Sequence, residues 1–140
     1  MTVPVESDSS VHRLQRAAAE LPQVELPTSH YFADGMYSRS VFRPADTLII
    51  GKVHKREHFY IVACGEITVI TDGVKQRIAG PRVIVSQPGT KRAVYSHTDA
   101  TCITVHRTFE TDLAKIEAEL VEWDEFALFD SANMLIEQKS

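Results

Sequence analysis

Residues 51–60 read GKVHKREHFY and gather the side chains best suited to chemistry: Lys52, His54 and His58, with Lys55, Arg56 and Glu57 among them. Two histidines four residues apart can ligate a metal, help hold an anion, or line an ordinary polar loop. Tyr60 follows His58 by two residues. On a regular strand it shares the histidine's face and could stack on a ring or donate its hydroxyl. Arg92, in the PGTKR turn, supplies a further cation. A guanidinium can bind a carboxylate or phosphate through two parallel hydrogen bonds. His106, or His97, from the last strand pair could join His54 and His58 if their nitrogens reach the about 2.0–2.1 Å that zinc requires.

Each of these residues also has a plainer reading. His54 and His58 could be polar residues at a turn between strands, and Lys52 and Arg92 could pair with Glu57 or Glu66 on a surface. HKREH also spells H-x-x-E-H, a zinc string that works on a helix, where i and i+4 share a face. Its flanks here read as strands, so the match is treated as chance.

The elements that must position these residues fall into three zones, 1–29, 30–108 and 109–140. The first is an arm with one helical candidate, capped by Ser9 or Ser10, with Val11, Leu14 and Ala18 on one face and an end at Leu21-Pro22. The prolines of LPQVELP then favour extended chain. The second zone is strand-like: runs at 36–42, 47–54, 58–64, 82–86, 92–96 and 100–108, and a hairpin over 66–80 turning at Asp72-Gly73. Asp46 reads as a turn residue. About eight short strands with no intervening helix predict an all-β sandwich or jelly roll and argue against a parallel α/β sheet. In the third zone Thr111 is a plausible N-cap with Asp112 in the first turn, and Leu113, Ile116 and Leu120 line one face. Trp123, Phe126, Leu128, Phe129, Met134, Leu135 and Ile136 then make an apolar tail expected to pack on the sheet or on another subunit.

Composition narrows the classes. The 140 residues fit one domain, with 44% hydrophobic and 24% charged residues. There is no membrane-length apolar run and no signal-peptide pattern, so a cytoplasmic protein with no membrane partner is expected. Cys64 and Cys102 make no disulfide framework and read as free, buried thiols. The net charge of −4 conceals an asymmetry: residues 28–107 carry 11 basic and 6 acidic side chains, whereas residues 108–140 carry 2 and 9. A basic middle favours anions, or the acidic end is a solvated helix. Without a dense basic stripe or a recognition motif, nucleic acid is not an expected partner.

The middle zone resembles a cupin, a small double-stranded β-helix of jelly-roll type. The family's first motif is G-x5-H-x-H-x3,4-E-x6-G, and it lies on residues 46–65. Asp46 stands at the opening glycine, Lys52 at the first histidine, His54 at the second, His58 at the glutamate and Gly65 at the closing glycine. The second motif, G-x5-P-x-G-x2-H-x3-N, lies on residues 81–96. Gly89 matches its central glycine, Arg92 stands at the histidine and Ser96 at the asparagine, with Gly80 and Pro88 each displaced by one. The resemblance implies a cupin-like jelly-roll barrel, flanked here by the short N-terminal helix and the C-terminal helix read above.

The departures from the motif redirect its chemistry. In the family, three histidines and a glutamate hold a divalent metal. Here those positions read Lys52, His54, His58 and Arg92. Arginine offers no lone pair, and a cation about 5 Å from a metal ion opposes it by roughly 3 kcal/mol per unit-charge pair at an effective dielectric of 20. The same residues suit a phosphate, nucleotide or carboxylate at the barrel mouth. The expected function is therefore binding of a small anionic molecule through Lys52, His54, His58, Tyr60 and Arg92, with no cofactor. The alternative is a metal-dependent cupin enzyme (an oxygenase, isomerase or lyase) with zinc, iron, manganese or nickel on His54, His58 and His106. A third reading is an assembly component. The GK-x-HK…EH and PGTKR stretches resemble those of small phage-encoded cupin-like proteins, for which a virion location is an option. The family also implies a homodimer or larger homo-oligomer. No complete set of catalytic acid, base and nucleophile can be named from the sequence.

Overall fold

The computed structural model describes residues 10–71, 73–124 and 127–136. Period-2 patterning produces nine strands among them, arranged as two antiparallel sheets. β1 (Thr28–Ala33), β2 (Met36–Arg43), β9 (Ala100–Arg107), β4 (His58–Cys64) and β7 (Arg82–Ser86) lie side by side in that order. β3 (Thr47–Ile50), β8 (Ala93–Ser96), β5 (Glu66–Thr71) and β6 (Val74–Ala79) form the second sheet. The architecture is the all-β jelly roll that the turn spacing predicts.

β1 has no counterpart among the expected strands. It forms because Gly35, at φ +70, turns the chain into a hairpin whose register runs from Ala33↔Met36 to Thr28↔Val41. The 47–54 run is a strand only to Ile50. Beyond Gly51 the chain leaves the sheet, and His54 makes a single bridge to Val121. The hairpin joining β5 and β6 pairs Thr71 with Val74 as expected; Asp72 lies outside the described residues.

One end of the barrel is an apolar core of Tyr60, Val62, Ile67, Ile78, Val94, Ala100 and Cys102. Cys102 is a buried free thiol; Cys64 is free but exposed, beyond the register shift that follows Val62 at the end of β4. The other end is closed by the chain's two flanks. Helix α2 (Leu113–Leu120) packs Ile116 and Leu120 against Tyr37. Its N-cap is Asp112 rather than Thr111, and the Asp112 carboxylate accepts the Lys115 N–H at 3.1 Å. Helix α1 (Ser10–Ala19) buries Val11. Its Gln15 donates to Asp124, which also receives Lys91 at 2.8 Å. The tail divides. Leu128 and Phe129 line the barrel opening, whereas Trp123 stands 85% exposed and does not pack on the sheet of its own chain. Phe126 lies outside the described residues. No helix among the described residues is long and apolar enough to cross a membrane.

Candidate metal centre and anion pocket

Strand register brings the histidines together. β4 and β9 pair Tyr60 with Thr104 and Phe59 with Val105, so the next step outward sets His58 against His106. Both rings turn inward and are buried, 6% and 5% exposed. The 51–57 loop swings His54 over them. Ring centroids are 4.3 Å apart for His54–His58, 4.5 Å for His58–His106 and 5.2 Å for His54–His106. One nitrogen from each ring lies within 4.8 Å of the others. His97 does not join them; its Nε2 meets Thr68 Oγ1 at 2.6 Å. Glu57, the acid of the H-x-x-E-H string, is exposed and accepts from Gln87, and no helix runs through that segment.

The proton placement on His58 follows from its neighbour. Its Nδ1 lies 3.1 Å from the Arg56 carbonyl, which can only accept, so Nδ1 carries the hydrogen. Nε2 therefore presents a lone pair, and it is buried with no partner. Burial lowers His54 to about 3, helped by the nearby His58, His106, Arg92 and Arg39. Burial likewise lowers His106 to about 3, with His58 and Arg39 adding to the effect. His58 is lowered by burial too, against the carbonyl contact. Three neutral imidazoles with an orphaned nitrogen among them are the donor set that zinc, iron, manganese or nickel accepts. Tyr37 stacks on His106 at 5.9 Å and shares a 2.6 Å hydrogen bond with His30 Nδ1, which fixes the outer side of the cluster.

Beside the histidines is a cavity of about 480 Å³. Tyr60 lies in it, 4% exposed, with its hydroxyl unpartnered. Burial raises that hydroxyl to about 12, with Cys102 adding to the rise and Arg43 and Arg92 opposing it, so it remains a donor. Arg92 sits over the Tyr60 ring, 5.1 Å from its centroid, and donates to Ser86 Oγ. Lys52 is placed differently. Its ammonium is paired with Glu117 of α2 and bonds the Phe129 carbonyl at 3.0 Å, so it anchors the cover over the barrel. All five expected ligand-binding residues line the cavity; Lys52 is engaged by Glu117, and Arg92 gives one of its hydrogens to Ser86.

Two cavity arginines were not singled out from the sequence. Arg39 and Arg43 alternate with Tyr37 and Val41 on β2, and all four share the inward face. The signal was present: in MYSRSVFR the buried Tyr37 and Val41 fix the parity that also turns Arg39 and Arg43 inside.

Comparison with solved structures gives the class. A cupin superfamily protein from Desulfitobacterium hafniense superposes with TM-score 0.52 at 10% identity, over 63% of this chain and 82% of its own. A Cupin 2 conserved barrel domain protein from Salinispora arenicola gives 0.52 at 15% identity, over 65% and 83%. The DMSP lyase DddQ from Ruegeria pomeroyi gives 0.53 at 16%, over 63% and 50%. The chain has the cupin fold. No protein-family model matches its sequence, and no curated protein does.

Proposed function

We propose that the barrel holds a divalent metal on His54, His58 and His106 and binds a small anionic molecule beside it, through Arg92 and Tyr60. The observation that carries this reading is the buried, unpartnered Nε2 of His58, facing two further neutral imidazoles. A buried imidazole nitrogen with no protein partner is one that a metal would satisfy. Of the two cations at the cupin motif positions, Lys52 is neutralised by Glu117, and Arg92 is left for the anion to neutralise. When bound, the metal would act as a Lewis acid toward an oxygen of the ligand. Arg92 would orient the anion by paired hydrogen bonds, and the Tyr60 hydroxyl would donate a further one.

Elemental analysis of the untagged protein, after incubation with zinc and desalting, tests the metal. About one equivalent per chain is expected, with loss in His58→Ala and His106→Ala. Absence of metal from folded wild-type protein would refute the centre. A metal-dependent enzyme is the second reading, favoured by the protonated Tyr60 hydroxyl facing the cavity next to the histidines. The lyase among the neighbours has the same fold, which makes a lyase reaction one to assay.

A further inference from the structure

The cavity holds more positive charge than one small anion requires. Arg43 is 9% exposed, and its Nε and Nη1 are buried with no hydrogen-bond partner. Arg39 Nε is buried and unpartnered too. Among the described residues, no carboxylate forms an ion pair with Arg39, Arg43 or Arg92. The carboxylates that line the cavity hydrogen-bond elsewhere, although Glu117 and Asp130 lie near enough to favour the Arg39 charge. Glu117 holds Lys52, and Asp124 holds Lys91 and Gln15. Asp46 accepts from the Tyr95 hydroxyl, and Asp130 accepts the backbone N–H groups of Ala132 and Met134. A guanidinium cannot shed its proton to escape burial, and an unpaired buried charge opposes folding.

The two β2 arginines also stand at different places. They are four residues apart on one face of a strand, so their Cα atoms are roughly 13 Å apart. Arg43 acts on Tyr60 and Arg92, and Arg39 on His54 and His106; Arg92 also reaches His54 and His58, and the two β2 arginines oppose each other's charge. We infer that the ligand is a compact dianion with two separated anionic groups, of dicarboxylate type, one group held by Arg43, Arg92 and the Tyr60 hydroxyl and the other by Arg39 beside the histidines. This deepens the anion half of the proposed function and is independent of the metal. A single phosphate would satisfy one pole and leave the other bare.

The test uses the full chain, freed of metal with a chelator, and calorimetric titration with malonate, succinate, glutarate and adipate. Each is set against the monocarboxylate of equal length, and against inorganic phosphate. The best dicarboxylate should bind at least tenfold tighter than both its monocarboxylate and phosphate. Arg39→Met should remove that advantage while changing monocarboxylate binding less than threefold. Equal binding of mono- and dicarboxylates, tighter binding of phosphate, or an unchanged advantage in Arg39→Met would each overturn the inference. Thermal melting of ligand-free Arg39→Met and Arg43→Met guards against a folding artefact. Melting at or above the wild-type temperature is expected, since an unpaired buried charge is removed. A lower melting temperature with unaltered dicarboxylate affinity would make the arginines structural and also overturn it. Dicarboxylate binding by a protein that takes no zinc would sink the metal centre alone; zinc binding without dicarboxylate preference would sink this inference alone.

Discussion

The three-histidine cluster should keep its metal in acid. An unshifted imidazole, pKa about 6.5, is about 97% protonated at pH 5, so protons would weaken each ligand about thirtyfold. Three such ligands would together lose roughly 3 × 10⁴ in affinity between pH 7.5 and pH 5. His54 and His106 are held at about 3, chiefly by burial, and stay neutral throughout that range. Only His58 is left to compete with protons, and it too is shifted downward. The loss should therefore not exceed the about thirtyfold of a single unshifted ring. Zinc titration by calorimetry at pH 7.5, 6.5, 5.5 and 5.0, in buffers of matched ionic strength, gives the slope directly. A fall of a thousandfold or more by pH 5 would show that the rings titrate as exposed imidazoles, and the burial argument would fail.

The same shifts set the acid stability of the metal-free protein. His54 and His106 have lowered folded pKa values, so the unfolded chain binds protons first. Their contribution is complete above about pH 6.5 and is lost as pH falls from there toward 3, by up to about 1.4 kcal/mol per pH unit for each ring; urea midpoints that stay level between pH 6.5 and 4.5 would contradict it. Asp124→Ala leaves Lys91, 8% exposed, without its ion-pair partner, and should cost about 3 kcal/mol by urea unfolding. Gly65→Ala would set a methyl 2.3 Å from the Asp99 carbonyl at φ +89; little or no soluble protein is the expected result, measured as expression yield and melting temperature. Ile67→Ala, at a fully buried core position, should lose about 2–5 kcal/mol of unfolding free energy while leaving zinc stoichiometry unchanged.

Much of the barrel was legible because its punctuation is local. Gly65, Gly73 and Gly89 all have positive φ and fall where the sequence pattern placed turns. Asp46 stands at a family glycine position and takes φ +61, a left-handed conformation that aspartate tolerates better than most residues. The substitution therefore keeps the turn that the motif needs. His106 could be named as a candidate third ligand but not placed, because its approach to His58 depends on the β4–β9 register, and the two stand 48 positions apart in the chain. The engagement of Lys52 was hidden for a similar reason. Its partners, Glu117 and the Phe129 carbonyl, come from the far end of the sequence, and no local signal tells a ligand-binding lysine from an anchoring one.

The arginines show how far strand parity can carry function. A charged residue on a strand is ordinarily assigned to solvent, and β2 carries Arg39 and Arg43 in a run that looks half polar. On this strand the exposed positions are apolar, Met36 at 51% and Phe42 at 39%, while Arg43 beside Phe42 is buried at 9%. Inverting the usual pattern costs stability on both faces, since apolar surface meets water and charge leaves it. A sequence that retains such an inversion gains something inside the barrel that an apolar core could not supply. Two guanidinium groups fixed to one rigid strand, set between a three-histidine cluster and a buried tyrosine hydroxyl, offer preorganised recognition of negative charge. Loss of dicarboxylate preference in Arg39→Met without loss of fold would confirm that the inward arginines are retained for binding.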